Sequence, residues 1–368
     1  SSRSNFRAET LFDYVIMDEA SQVSSETGAL ALMCARNAVI VGDSMQLPNV
    51  ITDADRLRMQ AIAAKHTIDS RYDCAVLSFL ESVCRVFPEA PQTLLREHYR
   101  CHPKIINFCN QRFYGGRLLI MTEDHGEPDV ITAWRTAPGH HARGPFNPRE
   151  IETIRREVLP SLPCEQAEIG IISPYNEQVN ALHRELGGGI DVATVHKFQG
   201  REKEAIILST VDDQITAFTD DPNLLNVAVS RAKRQFTLVT SSNEQSDSRN
   251  IADLLAYIDY NGGKITESAI HSVFDLLYEP YAEARREFLK RHRRISEFDS
   301  ENLTYALLER VLETDPAFRH LGVLCHQPLR QLIRDWMLLN DEERRYASNG
   351  ATHLDFLIYN RVSKRPVL

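Results

Sequence analysis

Asp18 and Glu19 are two adjacent carboxylates that directly follow a short apolar segment near the start of the chain. The segment, YVIM at 14–17, is typical of a buried β-strand. Carboxylates at the carboxyl end of such a strand can hold Mg²⁺ and orient a water molecule for phosphoryl transfer. Acidic residues at the N-terminus of a helix would have the same spacing, so a purely structural role for the pair stays open.

Phosphoryl transfer of this kind also needs a loop that cradles phosphate, usually G-x-x-x-x-G-K-[ST]. The 17 residues before Asp18 contain no glycine. The closest segment elsewhere is YNGGKITES at 260–268, which lacks the first glycine and has Ile265 in place of Ser or Thr. The sequence therefore contains the acidic pair without a recognisable phosphate-binding loop.

Further polar residues lie next to predicted strands and helices. Gln46 follows the apolar run VIVGD, where an amide can report on a terminal phosphate or on an attacking water. Arg100 and Arg231 each border an apolar helix, and a guanidinium buried there is costly without an anion. The segments that carry these and neighbouring polar residues are VIVGDSMQLP, REHYRCHPKIINF, ATVHKFQGREKEAIILSTV and LLNVAVSRAKRQFTLVTS.

The elements that must position these residues follow a simple order along the chain. Short apolar runs alternate with helical patterns, which favours βαβ units and an α/β fold with parallel sheets. The predicted strands are YVIM, NAVIVGD, EIGIISPY, DVATVH, EAIILSTV and QFTLVTS. After Ser242 a charged helical pattern replaces this alternation, and a mixed segment begins near Phe318.

Composition and charge narrow the classes of protein. The content of 43% hydrophobic and 25% charged residues is that of an ordinary soluble globular protein. No apolar run approaches the roughly 20 residues of a membrane span, and the first ten residues contain no apolar signal segment. Seven scattered cysteines without a C-x-x-C pair favour a reduced, intracellular protein, and they indicate neither a disulfide framework nor a zinc site. The net charge of −9 gives no general attraction to nucleic acid, although residues 283–294 are locally basic.

Taken in order, DEASQ, GDSMQLP, YRCHP, FQGRE and NVAVSRAK resemble motifs II to VI of superfamily 1 helicases, in the group that includes the nonsense-mediated-decay and Sen1-type enzymes. The resemblance covers roughly residues 11–242. It implies RecA-like parallel sheets, part of a first domain in 1–90 and all of a second in 91–245. A helical region in 246–315 and a truncated α+β segment in 316–368 would follow. It also implies ATP and Mg²⁺ as cofactors and single-stranded nucleic acid, DNA more readily than RNA, as a partner, with no membrane association.

The resemblance implies a role in hydrolysis for five of these residues. Asp18 would bind Mg²⁺ through water, and Glu19 would polarise the attacking water. Gln46 would sense the γ-phosphate. Arg100 and Arg231 would be arginine fingers that neutralise the charge developing during transfer.

Other residues would face the nucleotide base, the nucleotide phosphates or the nucleic acid. Tyr99 is implied to stack on the adenine, while Gly200 and Glu202 would approach the phosphates and the ribose. The residues implied to face single-stranded nucleic acid are Pro174, Tyr175 and Thr194. In this family the phosphate-binding loop precedes the acidic pair by several βα units, and one such unit takes about 30 residues. We therefore expect a missing N-terminal helicase segment to supply the loop, and expect this chain alone to hydrolyse ATP weakly or not at all.

The tail GATHLDFLIYNRVSKRPVL resembles the opening of nuclease-like domains of the PD-(D/E)xK class. Asp355 would then be the first metal-binding carboxylate, and the second motif would follow Leu368. A simple hairpin, with a turn at 360–365 and a second strand beginning at Val367, remains an alternative. Two other functions also stay open: a nucleic-acid-binding module that needs no nucleotide, and the substrate-positioning part of a helicase–nuclease fusion.

Overall fold

The computed structural model describes residues 11–245, 248–271, 287–349 and 352–367. It divides the chain into two compact units, Ser1–Ala269 and Ile270–Leu368. The first unit contains all the described parallel sheets, and the second contains an antiparallel pair of strands. None of the helices in the described part of the chain combines the length and the apolar character needed to cross a lipid bilayer.

The first sheet contains two parallel strands, β1 (Phe12–Met17) and β2 (Ala35–Ile40), joined through α1 (Ser25–Leu32). Two more helices follow, α2 (Asp53–His66) and α3 (Phe79–Val86). The strands form where the sequence predicts them, but the expectation that they are buried is wrong: Tyr14 is 63% and Ile16 72% exposed. A parallel strand is buried only when layers cover both faces, and the described residues supply two strands with little covering.

A second, larger sheet has six strands, and every described pairing in it is parallel. A small parallel pair, β3 (Glu97–His98) and β4 (Leu119–Ile120), precedes it in the chain. The six strands are β5 (Ile131–Thr136), β6 (Ile169–Ser173), β7 (Asp191–Thr194), β8 (Lys203–Ser209), β9 (Ala232–Ser241) and β10 (Ile265–Glu267). Their order across the sheet is β10-β5-β9-β8-β6-β7. The predicted parallel α/β fold is confirmed, and its last strand lies beyond residue 245.

Helices cover both faces of the large sheet. Neighbouring residues of one strand point to opposite faces, so Ile206 and Leu238 belong to one apolar cluster while Ile207 and Val239 belong to the other. The helices are α4 (Pro103–Arg112), α5 (Pro148–Thr153), a π-helical turn at Ile154–Val158, α6 (Leu159–Ser161), α7 (Asn176–Leu186), α8 (Val195–Phe198), α9 (Pro222–Val229) and α10 (Asn250–Tyr260). The sheet is thereby fixed as a rigid support for the loops at its carboxyl edge.

The second unit pairs β11 (Leu321–Pro328) antiparallel with β12 (His353–Asn360). Its described helices are α11 (Asp299–Thr314), α12 (Leu329–Leu332) and α13 (Asp341–Ser348). The predicted terminal hairpin is present: Tyr359 bridges to Pro366, Asn360 N–H donates to Arg365 O at 2.9 Å and Val367 N–H donates to Ile358 O at 2.7 Å. The longer partner of β12 is β11, which the sequence did not predict. Part of the basic segment 283–294, including Arg285 and Arg286, lies outside the described residues.

Candidate active site

The carboxyl ends of β1 and β2 bring the first two motifs together. Because the two strands are parallel neighbours, the loops that follow them emerge at the same edge of the sheet. Two backbone hydrogen bonds join these loops: Val41 N–H donates to Met17 O at 2.7 Å and Ala20 N–H to Val41 O at 2.9 Å. The acidic pair and Gln46 are therefore placed side by side.

Asp18 and Glu19 are both exposed and lie directly after β1. Glu19 has a left-handed backbone, with φ of 52°, and its N–H donates to Asp18 Oδ1 at 2.8 Å. Glu19 makes no side-chain capping bond to the short helix after it, so the helix-capping interpretation lacks support. Exposed carboxylate oxygens are the donors that Mg²⁺ prefers, so the pair has suitable groups for that ion.

Gln199 reaches this pair from the other side of the unit. It lies in the FQGRE loop between α8 and β8, and its Nε2 is 3.4 Å from Glu19 Oε2. The same nitrogen is 3.3 Å from Gln46 Oε1. The sequence motif contains Gln199, but sequence reasoning assigned it no role. Its side chain links the second sheet to two candidate catalytic residues of the first.

A second polar connection between the two sheets is centred on Tyr114. Its hydroxyl donates to Asp43 Oδ2 at 2.6 Å, and Asn226 Nδ2 donates to that hydroxyl at 2.8 Å. Asn226 Nδ2 also donates to Met45 O at 2.7 Å. Burial, and then the charge of Asp43, raises the pKa of Tyr114 well above its usual range. Sequence reasoning missed these residues, although Asp43 and Asn226 lie in the GDSMQLP and NVAVSRAK segments.

Arg231 is a buried cation without a carboxylate partner among the described residues. Its side chain follows α9 and is 4% exposed. The guanidinium donates to Val227 O from Nε at 3.2 Å and to Ser230 Oγ from Nη2 at 3.3 Å. Burial, and then the nearby Arg100, lowers the pKa of Arg231, while the charge of Glu19 opposes that change. A buried guanidinium in this state gains from an incoming anion.

Arg100 is exposed and forms an ion pair with Glu202. Its Nε lies 2.6 Å from Glu202 Oε2, and Lys233 Nζ lies 2.7 Å from Glu202 Oε1. The hydrogen bond from Lys233 lowers the pKa of Glu202, and the charge of Arg100 lowers it further. The carboxylate of Glu202 therefore pairs with both Arg100 and Lys233. The sequence analysis assigns Lys233 no role, and the structure gives it Glu202 as a specific partner.

The loop around Tyr99 lines a cavity of about 550 Å³. Tyr99 is 65% exposed and its hydroxyl donates to Glu97. The cavity is lined by Glu97, His98, Tyr99, Arg100, Glu202 and Lys233. Gly200 is exposed nearby in the chain, with φ of 78°, a conformation that glycine adopts readily. The predicted nucleotide-contacting residues Tyr99 and Glu202 thus share one open cavity.

The three residues predicted to face nucleic acid lie together at the end of two other strands. Ser173, the last residue of β6, pairs with Thr194, the last residue of β7, and Pro174 and Tyr175 follow Ser173. Thr194 is 7% exposed, and Tyr175 is half-buried with its hydroxyl donating to Asp212 Oδ1 at 2.9 Å. The structure brings these residues together at the carboxyl edge of the large sheet.

Asp355, the predicted metal ligand of the tail, belongs to the second unit. It lies near the start of β12, and its side chain is 62% exposed. His353 Nε2 lies 3.6 Å from Asp355 Oδ1. Asp355 therefore belongs to a different unit from the candidate catalytic residues Asp18, Glu19, Gln46, Arg100 and Arg231.

The matches to known protein families lie in the first unit. Two family models, each described as an AAA domain, match residues 1–54 and 76–243. An ATP-dependent helicase of Methanocaldococcus jannaschii is 27% identical over 63% of this chain and 36% of its own length. The DNA polymerase alpha-associated DNA helicase A of Saccharomyces cerevisiae is 28% identical over 62% of this chain and 38% of its own length.

A third relative combines two activities in its name. The DNA replication ATP-dependent helicase/nuclease DNA2 of Gallus gallus is 29% identical over 62% of this chain and 23% of its own length. The chain thus spans less than two fifths of each of these relatives. The matched ranges include both Asp18 and Arg231. All three of these relatives are named as helicases.

Proposed function

We propose that this chain is the C-terminal portion of an ATP-dependent superfamily 1 helicase or translocase that acts on single-stranded nucleic acid, DNA in preference to RNA. The observation that carries the proposal is the contact of Gln199 with both Glu19 and Gln46, 3.4 and 3.3 Å away. Through it, residues from two sheets meet around the same acidic pair. The names of two relatives, a DNA helicase and a DNA replication helicase/nuclease, favour DNA as the substrate.

The proposed division of labour follows from charge and exposure. When bound, Mg²⁺ would neutralise phosphate charge beside Asp18, and the exposed Glu19 would orient water at the same edge. Arg231 is already desolvated and has no carboxylate partner among the described residues, so its charge is available to a phosphate. Arg100 must first break its ion pair with Glu202 before it can reach a phosphate. That pair is exposed and therefore weak.

Nucleotide binding by the chain alone should be weak. Its 368 residues contain no G-x-x-x-x-G-K-[ST] sequence, so no such loop cradles the phosphates. The exposed apolar side chains of β1, such as Tyr14 and Ile16, support the proposal that a further helicase segment packs against this sheet. A cytoplasmic setting, which only the resemblance of the tail implies, is part of the same proposal.

The decisive experiment compares ATP hydrolysis by this chain with that by a longer form of the protein, each with and without single-stranded DNA. We expect little or no hydrolysis by the chain and DNA-stimulated hydrolysis by the longer form. A longer form that contains a phosphate-binding loop and is equally inactive would refute the motor function. Binding of single-stranded DNA by both forms, unchanged by ATP, would instead favour a nucleic-acid-binding module that needs no nucleotide.

The nuclease resemblance of the tail supports a second, narrower candidate, a helicase–nuclease fusion in which Asp355 binds metal. The relative DNA2 is named as a helicase/nuclease, but its match covers only 62% of this chain. The test is nicking of single-stranded DNA with Mg²⁺ or Mn²⁺ by a form extended past Leu368. Loss of nicking in Asp355→Asn is expected, and activity that survives this change would reject the candidate.

A further inference from the structure

Two histidines and a carboxylate meet on the β11–β12 strand pair. His353 and Asp355 are two residues apart on β12, so their side chains lie on the same face. His326 lies on β11 between the register pairs Cys325↔Phe356 and Gln327↔Leu354, opposite Asp355. One ligand atom from each of the three residues lies within 4.8 Å of the other two.

The spacing of this cluster suits a small divalent cation. His353 Nε2 and Asp355 Oδ1 are 3.6 Å apart, and the rings of His326 and His353 have centroids 5.4 Å apart. Metal–ligand bonds of about 2.0–2.1 Å in a tetrahedral zinc site place neighbouring ligand atoms about 3.4 Å apart. Small side-chain rotations therefore bring the three ligand atoms onto one ion. All three side chains are partly exposed, so an ion can enter from solvent.

Glu301 on α11 adds an independent observation. Its Oε2 is buried, has no hydrogen-bond donor among the described residues, and lies 3.8 Å from His326 Nε2. A buried carboxylate oxygen without a donor is unfavourable, and a nearby cation would remove that cost. His326 also has φ of 50°, a left-handed conformation in which histidine is enriched relative to most residues.

The cluster His102, Asp124 and Glu127 in the first unit is another group of possible metal ligands. His102 Nδ1 accepts the backbone N–H of Lys104 at 3.2 Å, so a neutral ring carries its proton on Nε2. That nitrogen lies 3.3 Å from Glu127 Oε2 and donates to it. Because neither ring nitrogen has a lone pair left for a metal, this cluster is a hydrogen-bonded one.

We propose that His326, His353 and Asp355 bind a transition-metal dication of the Zn²⁺ class, with the carboxylate of Glu301 next to His326. Two imidazoles favour Zn²⁺ over Mg²⁺, which prefers oxygen ligands throughout. The site differs from the Mg²⁺ site that the nuclease resemblance implies, because it depends on the two histidines. The proposal does not rest on the helicase function, so either can fail without the other.

The test uses the full 368-residue chain after removal of metal with a chelator, titrated with Zn²⁺ and, separately, Mg²⁺ in a calorimeter. We expect one equivalent of Zn²⁺ to bind, at least tenfold tighter than Mg²⁺. Zn²⁺ should also raise the temperature at which the chain unfolds, since a ligand that binds only the folded state stabilises it. Co²⁺ in place of Zn²⁺ should give visible absorption bands of a low-symmetry nitrogen–oxygen site.

Variants assign the binding to these residues. His353→Gln and His326→Asn should each weaken Zn²⁺ binding at least tenfold, and Asn tolerates the left-handed backbone at 326. His320→Gln, an exposed histidine outside the cluster, is the matched control and should bind Zn²⁺ normally. Circular dichroism confirms that each variant folds. Equal Zn²⁺ affinity in His353→Gln and His320→Gln, or equal affinity of the chain for Mg²⁺ and Zn²⁺, overturns the proposal.

Discussion

Gln199 Nε2 lies 3.3 Å from Gln46 Oε1, so the FQGRE loop of the large sheet contacts the loop that follows β2. The same nitrogen is 3.4 Å from Glu19 Oε2. A single amide thus contacts a proposed phosphate sensor and a proposed catalytic carboxylate. If a change in nucleotide state moves Glu19 or Gln46, the contact would transmit that movement to Gln199 and to the loop of the large sheet.

Gln199→Leu should uncouple the two sheets without unfolding the protein. The side chain is only partly buried, and each lost hydrogen bond contributes about 0.5–1.5 kcal/mol. We expect DNA-stimulated ATP hydrolysis by the longer form to fall roughly tenfold, which corresponds to about 1.4 kcal/mol. Gln60→Leu on the exposed surface of α2 is the control. Unchanged stimulation in Gln199→Leu would show that the contact carries no coupling.

Arg231→Ala should remove most of the ATP hydrolysis of the longer form. Arginine fingers are worth about 10³–10⁵ in rate in related nucleotide hydrolases, and Arg231 is desolvated and without a carboxylate partner among the described residues. Binding of single-stranded DNA should stay within about twofold, because phosphate contacts of the nucleic acid lie elsewhere in this proposal. Activity is measured by phosphate release, with the exposed Arg234→Ala as the control.

Arg231 also has structural contacts, so its folding must be measured. Arg231→Lys keeps a positive charge at the same place but loses the planar fork of donors. A folded but inactive Arg231→Lys supports the finger role. If both variants unfold at markedly lower temperature than the parent, Arg231 is mainly a structural residue.

Tyr114→Phe should destabilise the first unit. The change removes the hydroxyl that donates to Asp43 and accepts from Asn226, both at short distances. Buried groups that lose a partner cost about 1–3 kcal/mol, so we expect a loss of stability of roughly that size. Urea unfolding measures the loss. Tyr260→Phe is the control, because Tyr260 is 90% exposed, and its stability should not change.

Stability should fall as pH rises from about 4.5 to about 8. Glu150 is fully buried, and burial raises the pKa of its carboxyl from 4.5 to about 8, although Ser209 Oγ donates to it at 2.5 Å. The folded state therefore keeps a proton that the unfolded chain releases in this interval. Stability is greatest below the unfolded pKa and declines until the folded carboxyl ionises. Unfolding midpoints in urea between pH 5 and 9 measure the effect.

Glu150→Gln cannot ionise, so it should flatten this dependence while the protein stays folded. Glu185→Gln on the exposed part of α7 should leave it as in the parent. A parent protein whose stability is constant from pH 5 to 8 would contradict the raised pKa of Glu150. If the stability of both variants depends on pH as that of the parent does, the dependence comes from groups other than Glu150.

Much of the architecture could be predicted from local pattern. Runs such as EIGIISPY and EAIILSTV are mostly apolar, and strands buried on both faces need that composition. They form β6 and β8 in a parallel sheet. The same reasoning fails for the burial of YVIM and NAVIVGD, because burial depends on which layers are present around a strand. Local pattern also predicts the strand β12 but not its main partner, the distant strand β11.

The sequence by itself determined the βαβ order, the acidic pair after the first strand and the motif residues from Gln46 to Arg231. These depend on neighbours along the chain, so local pattern is enough. Only the tertiary structure decided that Gln199 contacts Glu19, that Glu202 holds Arg100, and that Arg231 is buried without a carboxylate partner among the described residues. Such contacts join residues far apart in sequence. Folding of the chain brings these residues together, and their spacing along the sequence does not reveal how close they are in space.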